Sequence, residues 1–335
     1  MATEVLPDGV YVGLSEEDYF AQPRYGSTDV VRWSSTRPEN WWYGSRHNPR
    51  RVEEEPDEPK LFGSALHTYL LEGHEVFLEK YCLSHFKSWS EAGARAWRAS
   101  KRKDGVEPLK PESWHNVFLM GELIRNHPQM EAFFKGGISE LTVLFTMDGI
   151  PMRARFDKLL MGFIMDLKTF GSHKASMTDE ETVCDIVVQM KYDVQRFLYD
   201  YARHQLIGFV NNGQVHGATA DQLEWLTRLA NRPTWRWCWI FYQKVNNSGK
   251  SAAAPIVTPL IRDHQDATWV RGQERTIIGL ENFKRLRDQF GLDRPWGRIN
   301  AALNPDDSVF AVRYDHFRNR IIAPEEIDDA QDVSA

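Results

Sequence analysis

Apolar positions along this chain follow a helical period, then a strand period, then a helical one again. "STDVVRWSSTR" (27–37) predicts a short helix capped by Ser27 or Thr28. "LFGSALHTYLLEG" (61–73) predicts a second that stops at Gly73. Residues 88–103 predict a basic helix, and 111–126 another, closed by Asn126-His127-Pro128. Residues 46–59 are a basic patch followed by an acidic, proline-bounded loop. From residue 139 the period drops to two. "SELTVLFTM" (139–147), "PMRARFDKLL" (151–160) and "FIMDLKT" (163–169) alternate like strands, and the Asp148-Gly149-Ile150 link is a hairpin signal. Residues 179–208 predict one long helix with an acidic start and Gly208 at its end. Strands at 234–245 and 254–261 precede a last helix at about 267–290. A mixed central sheet flanked by helices is expected, of the α/β or mixed α+β class. The expected organisation is a single domain over 1–325, with a helical part to about 135 and a core over about 136–298. Residues 326–335 read as a loose acidic tail.

Composition narrows this picture. Of 335 residues, 42% are hydrophobic and twelve are tryptophan, which supports a sizeable core and argues against general disorder. The net charge of −6 gives no global basic field, so nucleic-acid binding would need a local cationic track. Cys82, Cys184 and Cys238 lie far apart, with no CxxC or Cys/His cluster. That pattern predicts a reducing, cytoplasmic setting and no cysteine-based zinc or iron–sulfur site. No signal-like start and no apolar run of about 18 residues occur, so no membrane span is expected.

The candidate chemistry starts at "IMDLKT". In a strand, Asp166 and Lys168 share one face while Met165 and Leu167 point into a core. The pair is either a surface ion pair of small worth or a metal-binding carboxylate beside a functional lysine. Asp157, near the end of the preceding strand, can reach the same end of the sheet. Two carboxylates and a lysine suit a hard divalent cation such as Mg²⁺. Glu140 either extends this acidic cluster or is a solvated edge acid. Gln195 and Tyr199 lie i, i+4 on a helix, with Tyr192 on the same face; they line a site or are half-buried core. His67 is either a packed core histidine or a further metal ligand, and Gly63 and Ala65 let its helix approach closely. Arg153 and Arg155 share the face of Asp157, where a phosphate would lie, or merely balance Glu140 and Asp157. In the basic helix, Arg98, Lys101 and Arg102, with Lys87, Arg95 and Lys103, interleave with Trp89 and Trp97. They are candidate DNA contacts or a solvated basic face.

Taken together, the chain resembles the PD-(D/E)XK nucleases, in the RecB-like branch that holds the RecE (exodeoxyribonuclease VIII) and related phage-type exonucleases. The resemblance spans about residues 8–298 through "GVYVGLSEEDYF", "FGSALHTYLLEG", "RARFDKL", "FIMDLKT", "YDVQRFLYDYA" and "RPWG". The signature's leading proline is replaced by Phe156. The resemblance implies a restriction-endonuclease-like core, with Asp157 and Asp166 as metal carboxylates and Lys168 as catalytic lysine. It further implies that His67 is a metal ligand, Glu140 the upstream acid, and Gln195 and Tyr199 the QxxxY motif. The four-cysteine clamp of some relatives is missing. The expected function is that of a Mg²⁺-dependent deoxyribonuclease, with Mn²⁺ able to substitute. It would act as a 5′→3′ exonuclease on duplex DNA ends in phage or bacterial recombination. A homo-oligomeric ring and a single-strand annealing partner are implied by the resemblance as well. Two alternatives stay open. One is a structure-specific or nicking endonuclease on the same core. The other is a non-catalytic DNA-binding module, against which the intact Asp157, Asp166 and Lys168 argue.

Overall fold

Asp148 and Gly149 both take positive φ, 53° and 77°, the conformation a two-residue hairpin turn requires, so the Asp-Gly signal is realised here. The turn sits in a computed structural model that describes residues 4–52, 57–128, 130–170, 179–232, 234–243, 257–263 and 265–297. The described strands are β1 (Gly9–Tyr11), β2 (Tyr81–Leu83), β3 (Glu107–Leu109), β4 (Ile138–Met147), β5 (Ile150–Leu160), β6 (Phe163–Phe170), β7 (Val215–His216), β8 (Arg236–Gln243) and β9 (Val257–Arg262). The described helices are α1 (Glu16–Ala21), α2 (Ser27–Trp33), α3 (Asn40–Gly44), α4 (Glu58–His67), α5 (His74–Lys80), α6 (Ala94–Lys103), α7 (Pro111–Arg125), α8 (Glu131–Phe134), α9 (Asp179–Gln189), α10 (Tyr192–Asn211), α11 (Ala220–Ala230) and α12 (Ala267–Phe290).

Among these, seven strands form one mixed sheet in the order β7-β1-β4-β5-β6-β8-β9, and β2 pairs with β3 in a separate ribbon. The meander β4–β5–β6 is antiparallel, with Thr142 opposite Arg155 and Leu159 opposite Ile164. β6 then pairs parallel with β8, placing Asp166 beside Trp239 and Lys168 beside Phe241. A central strand covered on both faces reads as a nearly continuous apolar run, and "WCWIFY" is one. Cys238, Ile240 and Tyr242 join a core with Met165, Leu167 and residues of α4 and α7. Trp237 meets Tyr199 of α10 on the opposite face, with ring centroids 6.1 Å apart. The sheet is therefore a wall between two helical layers, as the strand periods predict.

Several boundaries differ from the expectations. The predicted helix 179–208 is two helices. Lys191 adopts a left-handed φ of 55°, which ends the α-helical path, and α10 restarts at Tyr192. Gly208 is internal to α10, which runs on to Asn211. The cap of α2 is Gly26, with Asp29 accepting from its backbone N–H, rather than Ser27 or Thr28. The helical N-terminal part also supplies β1, which pairs with β4 inside the main sheet. The basic helix is shorter than expected, Ala94–Lys103. Glycines permit two close approaches. A Cβ at Gly272 would lie 2.1 Å from the Asp193 carbonyl, so α12 can press on α10. One at Gly63 would lie 3.3 Å from Thr169 Oγ1, bringing α4 against β6.

One compact unit runs from Met1 to Trp296. A second, Gly297–Ala335, holds the expected acidic tail and lies outside the described residues apart from Gly297. The ends of the predicted strands at 244–245 and 254–256 also lie outside them. No described helix is long and apolar enough to cross a membrane.

Candidate active site

The site is assembled where β4, β5 and β6 lie under α4 and the first turns of α10. Asp166 is fully buried. Its Oδ1 accepts a hydrogen bond of 2.8 Å from Gln195 Nε2, and its Oδ2 lies 2.6 Å from Lys168 Nζ. Burial pushes the Asp166 carboxyl up to about 6, against the opposing pull of Lys168. Burial also works against the Lys168 charge, but Asp166 and Asp157 outweigh it and hold the ammonium above its ordinary range. The ammonium lies 4.8 Å from the Tyr192 ring centroid, a cation–π contact. The shared face of Asp166 and Lys168 is thus an inward one, beside α10.

His67 ends α4, and the next turn, Thr68–Glu72, widens to π-helical spacing, with Gly73 N–H donating to the Thr68 carbonyl at 3.0 Å. The histidine Nε2 is 3.1 Å from the Leu167 carbonyl, which can only accept, so Nε2 carries the proton. Burial, reinforced by Lys168, lowers the imidazole to about 4 and keeps it neutral. Nδ1 therefore presents a lone pair, and it faces Asp157 Oδ2 at 3.7 Å. That separation is too long for a hydrogen bond. Asp157 itself is fixed by the Leu167 backbone N–H at 2.8 Å, and burial raises its carboxyl.

Glu140 completes the group. It falls between the paired residues Ser139–Lys158 and Leu141–Phe156, opposite Asp157, and takes a left-handed φ of 52° inside β4. Burial, and then Asp157, push its carboxyl up to about 8. His67, Glu140 and Asp157 each offer a ligand atom, all within 4.8 Å of one another.

These residues fit a divalent cation. Three ligand atoms converge within 4.8 Å of one another, and the buried Asp166 Oδ2 receives no hydrogen bond of regular geometry despite its ion pair. Oxygen donors with one imidazole suit a hard or borderline divalent ion. The grouping differs in one respect from the expected ligand set: Glu140 stands with His67 and Asp157, while Asp166 is engaged by Lys168 and Gln195. Tyr199 is buried, packs edge-on to Phe156 at 5.5 Å, and has Gln195 in hydrogen-bonding reach of its hydroxyl.

All of these side chains except Asp166 line a cleft of about 1670 Å³, whose further wall carries Arg32, Arg46, Arg51 and Lys60. The residues expected to form a cationic track are placed as follows. Arg153 and Arg155 line the cleft and also donate to groups of the protein itself. Arg153 is 9% exposed and donates to the Tyr19 carbonyl at 2.6 Å. Arg155 bonds the Leu14 and Ser15 carbonyls and Thr142 Oγ1, with Glu140 3.9 Å away. In α6, Arg98 and Arg102 both clasp Glu107, and Arg98 lies over Trp89. Lys101, half-buried on the same helix, stands outside that clasp. Each of these four arginines thus holds a group of the protein itself. The basic stretch at 46–51 was visible in the sequence, but its place on the cleft wall was not.

A family model described as a PDDEXK-like domain of unknown function (DUF3799) matches residues 45–215, which hold every residue of this cluster. Among solved structures, a "Putative exonuclease" from Eubacterium rectale is similar at 14% sequence identity and a TM-score of 0.50. The match covers 96% of this chain and 99% of that one, and it establishes the likeness of fold. No curated protein matches the sequence significantly.

Proposed function

This chain belongs to the PDDEXK-like family, and on that premise we propose that it is a metal-dependent deoxyribonuclease that shortens duplex DNA from a free end in the 5′→3′ direction. The observation that carries the nuclease reading is the lone pair of His67 Nδ1 turned on the carboxylates of Asp157 and Glu140, beside a charged Lys168. The cleft above it exceeds the roughly 300–1,000 Å³ of ordinary small-molecule pockets, so a segment of polymer is the fitting substrate. Free-end action and polarity rest on the resemblance to RecE-type exonucleases, as do a ring assembly and an annealing partner.

His67, Glu140 and Asp157, with Asp166 Oδ2 adjoining, would hold Mg²⁺ or Mn²⁺, which supplies a polarised phosphoryl oxygen and a bound water of lowered pKa. Lys168, held protonated by its carboxylate neighbours, offers positive charge where the phosphate gains negative charge in the transition state. Gln195 locks the Asp166 rotamer from the opposite side, so the ammonium and carboxylate keep their relative position. The left-handed Glu140 is a strained residue placed in the middle of the ligand group, as functional sites often show.

The test uses linear and covalently closed circular duplexes, labelled at defined ends, with Mg²⁺ or with EDTA. Mg²⁺-dependent release of the 5′ label from linear DNA, with the circle intact, is expected. Rapid loss of the circle would point to an endonuclease. Cleavage that persists in EDTA would remove the metal reading.

A further inference from the structure

Helix α1 puts two adjacent aromatic side chains to different uses. Tyr19 is buried at 8% exposure, with the guanidinium groups of Arg153 and Arg155 at 4.8 and 4.4 Å from its ring centroid. Phe20 is 55% exposed, yet it lines the cleft. Among the described large apolar side chains that are well exposed, it is the one that does so. A single exposed phenyl on a soluble surface is ordinary. This one is held in position. It meets Tyr19 edge-on at 5.1 Å and the Arg153 guanidinium at 5.1 Å, while its carbonyl accepts from Arg46 Nη2 at 3.2 Å. The α1 backbone is also fixed by Arg153 on the Tyr19 carbonyl and Arg46 on the Gln22 carbonyl. The ring's position is set from beneath, and its exposed area faces the cleft that holds the metal-type cluster.

An aromatic face beside cations, in a groove sized for a polymer, is the arrangement by which proteins bind unpaired bases without sequence preference. We propose that Phe20 is the stacking platform for an unpaired base of the strand entering the cleft. The site would therefore receive one strand parted from its complement at a duplex end, or a free single strand, rather than paired bases. The proposal rests on the nuclease reading and adds the substrate form to it. Bases inside a duplex are stacked on one another and offer no face to a phenyl ring.

The experiment measures binding of the full chain, in EDTA to prevent cleavage, to two DNA probes. One is a single-stranded oligonucleotide carrying 2-aminopurine, and the other is a covalently closed circular duplex. Phe20→Ala is expected to weaken single-strand binding by about fivefold to a hundredfold and to abolish the quenching of 2-aminopurine. Its salt slope should be unchanged, because no phosphate contact is lost. Binding of the closed duplex should not move, and Phe20→Trp should retain both affinity and quenching. Equal single-strand affinity in wild type and Phe20→Ala would overturn the platform while leaving Mg²⁺-dependent cleavage, and so the nuclease reading, standing. Parallel loss of both probes, or a flattened salt slope, would show a structural role and likewise overturn it. A wild-type chain that binds neither probe and cleaves no DNA would remove the nuclease reading and the platform together.

Discussion

Without metal, this protein should lose stability as pH rises from 6.5 to 8, and a divalent cation should restore it most at the upper end. Glu140 is pushed from 4.5 to about 8 by burial and Asp157. A carboxyl whose folded value lies above its unfolded one binds its proton more tightly when folded. Stability therefore falls as pH rises from the unfolded value through the folded one. Below 6.5 the trend is masked. His67, lowered from 6.5 to about 4, contributes the opposite slope there, because the unfolded chain takes up its proton first. Asp166, at about 6, has largely titrated by then. From 6.5 to 8 the fall comes from Glu140, and Asp157, also raised by burial, pulls in the same direction. Each tenfold change in proton affinity is worth about 1.4 kcal/mol, which sets a ceiling of about 2 kcal/mol over this window. The Glu140 side chain is 30% exposed, and screening reduces the effect to about 1 kcal/mol. For a unit running from Met1 to Trp296 that is a fall in Tm of about 1–2 °C. Cation at a hundredfold over its Kd should add about 2.7 kcal/mol, with affinity greatest where Glu140 no longer competes for a proton. The assay is thermal unfolding in EDTA and in Mg²⁺ across the window, for wild type and Glu140→Gln. The variant should lose most of that slope in EDTA. A wild-type Tm that stays level or rises, or a variant that keeps the slope, would show that the Glu140 carboxyl does not carry this pH dependence.

Three substitutions test the remaining roles. Asp166→Ala should leave a folded protein whose cleavage of end-labelled DNA is reduced by about a thousandfold or more; normal cleavage by the folded variant would remove Asp166 from the site. Lys168→Ala should depress turnover at saturating metal while metal affinity, followed by calorimetry, stays level or tightens as a neighbouring positive charge is removed; lost metal affinity with normal turnover would make the lysine structural. Arg155→Ala should lower stability by about 1–3 kcal/mol, since its bonds to Leu14, Ser15 and Thr142 tie α1 to the sheet. The salt slope of DNA binding should not change, and a slope flattened by about one counterion would return Arg155 to the phosphate track.

The sheet and its two carboxylates were legible because they follow from uniform backbone. Period-two spacing fixes which faces Asp157, Asp166 and Lys168 share, and the Asp-Gly pair fixes the turn that aligns β4 with β5. The helix α11 was not read from the sequence, although the structure shows it opened by a capping box of Thr219 and Gln222. The short α1 and β1 were not, since six and three residues carry too little period to recognise. What periodicity cannot reach is the set of backbone departures that surround the cluster. Glu140 turns left-handed within a strand, Lys191 turns left-handed between two helices, and the turn after His67 widens to π spacing. Each lies at or beside a residue of the site: Glu140 is a candidate ligand, Lys191 precedes the Tyr192 that covers Lys168, and the π turn follows His67. A strained non-glycine residue costs on the order of 1–3 kcal/mol and persists only where the surroundings over-determine it. For Glu140 the surroundings do not favour its charge, because its carboxyl is half-buried against Asp157. Both the strain and the crowding are unfavourable in the metal-free protein, and a cation relieves the crowding. On the proposed function, the ion this cluster would bind accounts for that arrangement, which the packing alone does not.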